Sequence, residues 1–419
     1  MQERQKLLTS NRFYVFIFIG IMALLFCMWL IGFTQNYQGE QANIFFQKTA
    51  NYNADFYNVA KYSVSPNPYV SEVNPASEKG YLPLSYVIMR LFSNTADYQN
   101  LGSFEAGLSF ISLAISSFAI FLICAIFFLQ LYEQKSGTKG IKFGVAIMII
   151  LSGAFIRAFE RGNLIMLALV CVLFFIMNYK SENKAIKELA LIALAVSAAL
   201  KGYPAILGIL LVYEKRWKEI ARLILYGLIF IFVPFLFIEG GFSNIPILLE
   251  NMKLNTQVYG HAIEGWRFGL RYLLVTILNP ELNNRIYDIA KVVTYGLFIL
   301  TLIVAPFMKT KWKKYALLLL PIILLPDNSG GYCILYTIPF FIMFLNEEQH
   351  DKRDVIFLVM FILIFNPYQI PFLSGYAPNA CVSVIWIWLL CEGTFHTIKR
   401  IKHGWLSRTN KDKPLKAVQ

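Results

Sequence analysis

The chain has 419 residues, of which 57% are apolar and only 15% are charged. Soluble domains carry about 25% charged residues, so this composition, with a mean hydropathy of +0.54, excludes a disordered chain and a disulfide scaffold and describes a multi-pass membrane protein. The net charge of +13 does not imply nucleic acid, because the basic residues sit in short loops between apolar runs.

The first apolar run, roughly 13–33, follows Arg4, Lys6 and Arg12 and ends in Phe-Cys-Met-Trp-Leu-Ile-Gly-Phe without a small-residue cleavage site. It reads as an uncleaved signal anchor that leaves the N-terminus inside and exports the next segment of chain. A mostly polar outer loop, 34–104, precedes a second long apolar run over 105–132. The six cysteines lie in or beside apolar runs with no metal-ligand spacing. They read as small buried hydrophobes, so neither a disulfide nor a zinc site is expected.

Lysine and arginine order the rest. Segments 1–12, 133–142, 180–187, 214–222, 309–314, 346–354 and 392–419 hold 26 of the 38 basic residues and are assigned to the inside. The apolar stretches between them are then broken by polar turns. Residues 143–179 break at Glu160-Arg161-Gly162-Asn163, and 188–213 at Lys201-Gly202-Tyr203-Pro204. Residues 315–345 break at Pro326-Asp327-Asn328-Ser329-Gly330-Gly331, and 355–391 at Asn366-Pro367-Tyr368. Arms shorter than the roughly 20 residues of a full crossing are tolerated where their tips meet a protein-lined cavity. Counting both arms of each hairpin predicts an all-α polytopic bundle of about 12 transmembrane helices. Both termini fall inside, in a cell membrane, bacterial plasma membrane being the expected one.

The polar residues then collect on the outer side: the 34–104 loop, the hairpin tips and the 239–291 loop. Ionisable residues at the ends of short membrane helices are functional candidates by default. The structural alternative for Arg157, Glu160 and Arg161 is that they pair with one another. Walker A, HExxH, GxSxG and GxGxxG motifs are absent, which counts against an ATP-driven pump, a protease and a nucleotide-dependent enzyme.

The outer loop reads Asn53-Ala54-Asp55-Phe56-Tyr57-Asn58, Pro66-Asn67-Pro68-Tyr69 and Gly80-Tyr81-Leu82-Pro83-Leu84. Arg161-Gly162-Asn163 and Lys201-Gly202-Tyr203-Pro204 come next, at hairpin tips, and an apolar run then closes on Tyr213-Glu214-Lys215-Arg216-Trp217-Lys218. In this order the chain resembles the GT-C superfamily of polytopic glycosyltransferases, particularly family 87, the DUF2029 group, over roughly residues 13–220. That resemblance implies a catalytic first outer loop and a division into a catalytic module (1–239) and a variable transmembrane module (240–419). It also implies a mannosyltransferase-like use of a polyprenyl-phosphate sugar donor, with a lipid or glycan acceptor facing outward, such as a glycolipid or cell envelope polysaccharide. The late turn departs from the family pattern: Asp327-Asn328-Ser329-Gly330-Gly331-Tyr332 lacks the family's His, and His261 in the 239–291 loop is the candidate to replace it.

Asp55 stands at the position of the family's general base; its bland alternative is a turn-forming Asp. A departing phosphate needs cations, and Arg157, Arg161, Lys201, Arg267 and Arg271 are outer-facing in this topology. Arg267 and Arg271 are one helical turn apart and could grip one anion or anchor an interfacial helix to headgroups. Pocket candidates are Tyr57, Tyr69, Tyr81, Glu160, Asn163, Tyr203, Asp327 and Asn328; the membrane-interface belt is the alternative use of the aromatics. The first loop has no DxD motif, so neither metal nor cofactor is expected. The seven basic residues of the tail from Lys399 to Lys416 suit anionic membrane lipids. Two other readings remain open: an envelope polysaccharide polymerase or ligase, and a lipid-linked sugar flippase or transporter, which usually shows repeated halves and midplane charges.

Overall fold

A computed structural model describes residues 10–34, 53–73, 78–259, 269–270, 272–273, 284–326, 329–367 and 376–411. Apart from one isolated bridge, Ser10 to Gln349, the regular structure of these residues is helical. The first apolar run forms α1 (Asn11–Thr34). The 34–104 loop contributes α2 (Ala54–Tyr62), α3 (Pro83–Ser93) and α4 (Ser103–Gly107), and the chain then enters α5 (Phe110–Gln134). Next in the chain are α6 (Lys139–Ile150), α7 (Gly153–Arg161), α8 (Ile165–Asn178) and α9 (Lys184–Lys201). A 3₁₀ turn, Tyr203–Gly208, leads to α10 (Ile209–Tyr213), α11 (Trp217–Phe232) and α12 (Asn244–Tyr259). The second half holds α13 (Asn284–Val304), α14 (Lys311–Leu324), a 3₁₀ turn Gly331–Thr337, α15 (Ile338–Phe344), α16 (Asp354–Phe365) and α17 (Tyr376–Lys411).

Five helices among the described residues are long and apolar enough to cross a membrane: those over Asn11–Ile31, Phe110–Gln134, Trp217–Phe237, Asp288–Phe307 and Ala377–Lys402. A sixth span arises if α6 and α7, bent by 59° at Leu151-Ser152, count as one. The bend has a local cause. The Ser152 hydroxyl accepts the Phe155 N–H at 3.4 Å and so starts a new helix inside an apolar run. The other apolar pieces, including α8, α16 and the stretch Gly331–Phe344, are shorter than a bilayer is thick.

Burial decides where each helix sits. Every residue of α14 from Tyr315 to Leu324 is buried, as is Trp312, and a helix apolar on all faces belongs at the centre of a bundle. By contrast α11 has no buried residue, and α1 and α5 expose Phe16, Leu24, Phe118 and Phe121 to the periphery, where lipid is the matching solvent. The α8–α9 pair is close-packed through small residues (Ala190, Ala195, Ala198), and Ser197 Oγ donates to Ala168 O at 2.9 Å. A second core lies in the 34–104 loop, where Phe56, Tyr57, Tyr62, Tyr69, Tyr86 and Tyr98 pack with Phe235. Cys124 and Phe159 pack against both cores and join them.

Polar contacts sort the loops into two ends. At one, Asn11 Nδ2 donates to Leu345 O at 2.9 Å and Arg216 Nη1 to Tyr179 O at 2.9 Å. At the same end Lys313 Nζ meets Glu392 at 2.8 Å. Lys135, just beyond α5, donates to Ser136 O, Leu345 O and Asn346 Oδ1, each at 2.9 Å, and burial pulls its ammonium down to about 8. At the other end Asn67 Nδ2 donates to Asn244 Oδ1 at 2.8 Å, and Asn251 Nδ2 to Tyr69 O at 3.1 Å. These are the same groupings of loops that lysine and arginine content separates in the sequence.

Candidate active site

The loop between α1 and α5 is locked to the tip of α7 by two left-handed residues. Asn53, before α2, has φ 51° and ψ 24°, and its N–H donates to Glu160 O at 2.6 Å. Gly162, ending α7, has φ 59° and ψ 32°. A Cβ at Gly162 would lie 3.0 Å from Asn53 Oδ1, 3.0 Å from Phe56 Cβ and 3.1 Å from Ile120 Cδ1. The N-terminus of α2 thus meets the C-terminus of α7, and one orphan amide satisfies one orphan carbonyl. Helix dipoles favour an acid in the first turn of α2 and a base in the last turn of α7. Asp55 and Arg161 occupy those two positions.

They form an ion pair. Arg161 Nε donates to Asp55 Oδ1 at 2.9 Å, and Arg161 Nη2 donates to the same oxygen. Asn163 Nδ2 donates to Asp55 Oδ2 at 2.6 Å, while Asn163 Oδ1 accepts the Ile165 N–H at 2.9 Å at the start of α8. A carboxylate offers about four acceptor directions. Three are used here, which leaves one on Oδ2 for an incoming hydroxyl. The Asp55 side chain is 14% exposed, so it is shielded without being closed off.

Other segments converge on this pair. Lys201, at the C-terminus of α9, holds its ammonium 5.5 Å over the Tyr81 ring and within electrostatic reach of Asp55. Glu160 is buried between the charges of Arg157 and Arg161, with Asp55 beyond. Tyr332, from the 3₁₀ turn that packs on α7, feels the charges of Asp55 and Arg161 and lies near Tyr81.

The sequence candidates therefore divide. Asp55, Arg161, Asn163, Glu160, Lys201 and Tyr81 are brought together, and Arg157 lies one turn before Arg161 on α7. Arg161 is committed to the Asp55 carboxylate, where the sequence had offered it to a phosphate. Tyr57 and Tyr69 do not face an open pocket: they are 0% and 1% exposed. The Tyr57 hydroxyl meets Ser116 Oγ at 3.2 Å, and that of Tyr69 donates to Tyr81 O at 3.2 Å. Both build the wall behind the site. Tyr203 is half exposed beyond the tip of α9. His261, Arg267, Arg271, Asp327 and Asn328 lie outside the described residues. Two contributors escaped sequence reasoning. Tyr332 is one. Arg90 is the other, donating to Ser65 O at 2.9 Å and to Phe237 O at 2.8 Å, which staples the loop to the end of the span containing α11. Nothing in the sequence around Arg90 marks that role.

The described residues contain no group of three or more His, Cys, Asp or Glu placed to hold a metal. The family model for glycosyltransferase family 87 matches residues 81–305, more than half of the chain. The chain belongs to glycosyltransferase family 87. Neither a curated protein nor a solved structure matches it. The match takes in Arg157, Arg161 and Lys201, and it ends before the turn that carries Tyr332. A membrane glycosyltransferase needs a sugar donor and an acceptor, and the cluster around Asp55 is where this family 87 member brings acid and base side chains from separate loops together.

Proposed function

We propose that this enzyme moves a sugar, a hexose such as mannose, from a polyprenyl-phosphate donor to an outward-facing glycolipid or envelope polysaccharide hydroxyl. The observation that carries the reading is the convergence of one oriented carboxylate, Asp55, with the cations Arg161 and Lys201 from two other loops. Asp55 Oδ2 takes the proton of the acceptor hydroxyl as its oxygen bonds to the sugar C1. The C1–O bond to phosphate breaks with its electron pair left on the phosphate, whose charge Lys201 and Arg157 offset. Arg161 and Asn163 hold the carboxylate in line. A transfer assay with a panel of polyprenyl-phosphate sugars and membrane-extracted acceptors should give product with at least one donor, and equally in EDTA, since the first loop offers a lone carboxylate rather than a chelating pair. No product from any lipid-phosphate donor would overturn the reading.

The membrane arrangement belongs to the same proposal. The short apolar helices act as paired arms that bring the count to about twelve. The end holding Lys135, Arg216 and Lys313 faces the cytoplasm of a bacterial cell together with both termini, and the Asp55 end faces out. In intact cells an impermeant thiol reagent should modify a cysteine placed at Val70, which is 54% exposed in the outer loop, and should spare one placed at Lys218. Modification at Lys218 would invert or break this topology.

A further inference from the structure

The turn after α14 reaches the site from the C-terminal part of the chain, beyond the family match. Its backbone is set by the Cys333 N–H, which donates to Gly330 O at 2.9 Å. The Tyr332 ring folds back over Gly330, where an added Cβ would stand 2.9 Å from Cε1, 3.0 Å from Cζ and 3.3 Å from the hydroxyl oxygen. The 3₁₀ turn Gly331–Thr337 packs on α7, the helix that ends in Arg161. This packing puts the phenol in the electrostatic neighbourhood of Asp55, Arg161 and Tyr81, and puts Cys333 in that of Lys201.

A departing phosphate needs donors as well as charge, and Arg161 is already spent on Asp55 through two nitrogens. A phenol supplies a directed donor without adding a cation that would compete for the Asp55 carboxylate. We propose that Tyr332 binds the donor's phosphate: its hydroxyl donates a hydrogen bond to a phosphate oxygen beside Lys201 and keeps its proton as the sugar leaves. The inference rests on the polyprenyl-phosphate reading above and adds the residue that recognises the phosphate.

The test is binding, not turnover. Full-length protein in nanodiscs is titrated with a polyprenyl phosphate and, separately, with the uncharged polyprenol of the same length. Wild type should prefer the phosphate. Tyr332→Phe keeps the ring over Gly330 and removes only the hydroxyl. It should weaken phosphate binding about 10-fold, as expected for losing a hydrogen bond to a charged group, and leave polyprenol binding unchanged. Gly330→Ala keeps the hydroxyl but pushes the ring aside, and it should give the same selective loss even if the Phe variant folds poorly. Equal phosphate binding by wild type and both variants overturns the role of Tyr332 and leaves the donor reading intact. A wild type that does not distinguish phosphate from polyprenol overturns the donor reading, and this inference with it.

Discussion

Asp55→Asn is expected to lower sugar transfer by about 10²–10⁴-fold, the usual cost of removing a general base. The amide matches the carboxylate in size and its one carbonyl oxygen can still accept from Arg161, while its NH2 group replaces the oxygen that accepts from Asn163, so the tie between the first loop and the tip of α7 is kept by Arg161 and by the Asn53 N–H to Glu160 O bond. What it cannot do is take a proton through the acceptor direction that Oδ2 leaves open. The Arg161 charge left behind is tolerable, because its side chain is 37% exposed and water can solvate it. The variant should therefore express and fold, melting a little below wild type because the Asn163 hydrogen bond is lost. Asp55→Glu should recover little, since an added methylene moves the carboxylate off donors at 2.6–2.9 Å, more displacement than a reacting geometry tolerates. Initial rates and thermal melts of purified protein check both. Transfer by Asp55→Asn near the wild-type rate would remove Asp55 from the chemistry.

Gly162→Ala should destabilise the protein through two separate effects. An L-residue at φ 59° bears about 1–2 kcal/mol of backbone cost. The new Cβ also meets three atoms at 3.0–3.1 Å, from Asn53, Phe56 and Ile120, and overpacking of this kind typically costs about 1–3 kcal/mol. Gly241→Ala separates the two effects. Gly241 also has positive φ, 52°, close to that of Gly162, but a Cβ there finds nothing within 4 Å, so it is without the packing cost. Thermal melts should place Gly162→Ala clearly below Gly241→Ala. Activity should fall with it, because relaxing those contacts parts Asp55 from Arg161. Equal melting of the two variants would mean that the two loops are not locked together through Gly162.

Much of the arrangement is legible in the sequence. Apolar runs near 13–33 and 105–132 become α1 and α5 within a few residues. The polar turns at Glu160–Asn163 and Lys201–Pro204 do end helices, because Gly162 and Gly202 adopt backbone conformations that stop them. The bend at Ser152 is not legible: a serine in an apolar run differs little from its neighbours until its hydroxyl caps a helix. The equivalence of Tyr57 and Tyr69 with Tyr81 and Tyr203 is also misleading. Aromatic residues suit a sugar face, a lipid interface and a packed core alike, and only the neighbours that close over a ring tell these apart.

By itself the sequence determined solvent and class. Composition says that lipid surrounds the chain, charge bias sorts its loops into two groups, and motif order places it among polytopic glycosyltransferases. These are properties of single residues or short windows, set by transfer energies and local backbone preferences, and they survive without knowledge of any distant partner. The tertiary structure alone decided that α14 is central while α11 is peripheral, although both are apolar. It alone joined Asp55 to Arg161, 106 residues away, and brought Tyr332 to them from beyond the matched region. Such pairings depend on which helix faces bury against one another, and no local window carries that information, because an apolar helix packs equally well against lipid and against protein until the rest of the bundle chooses.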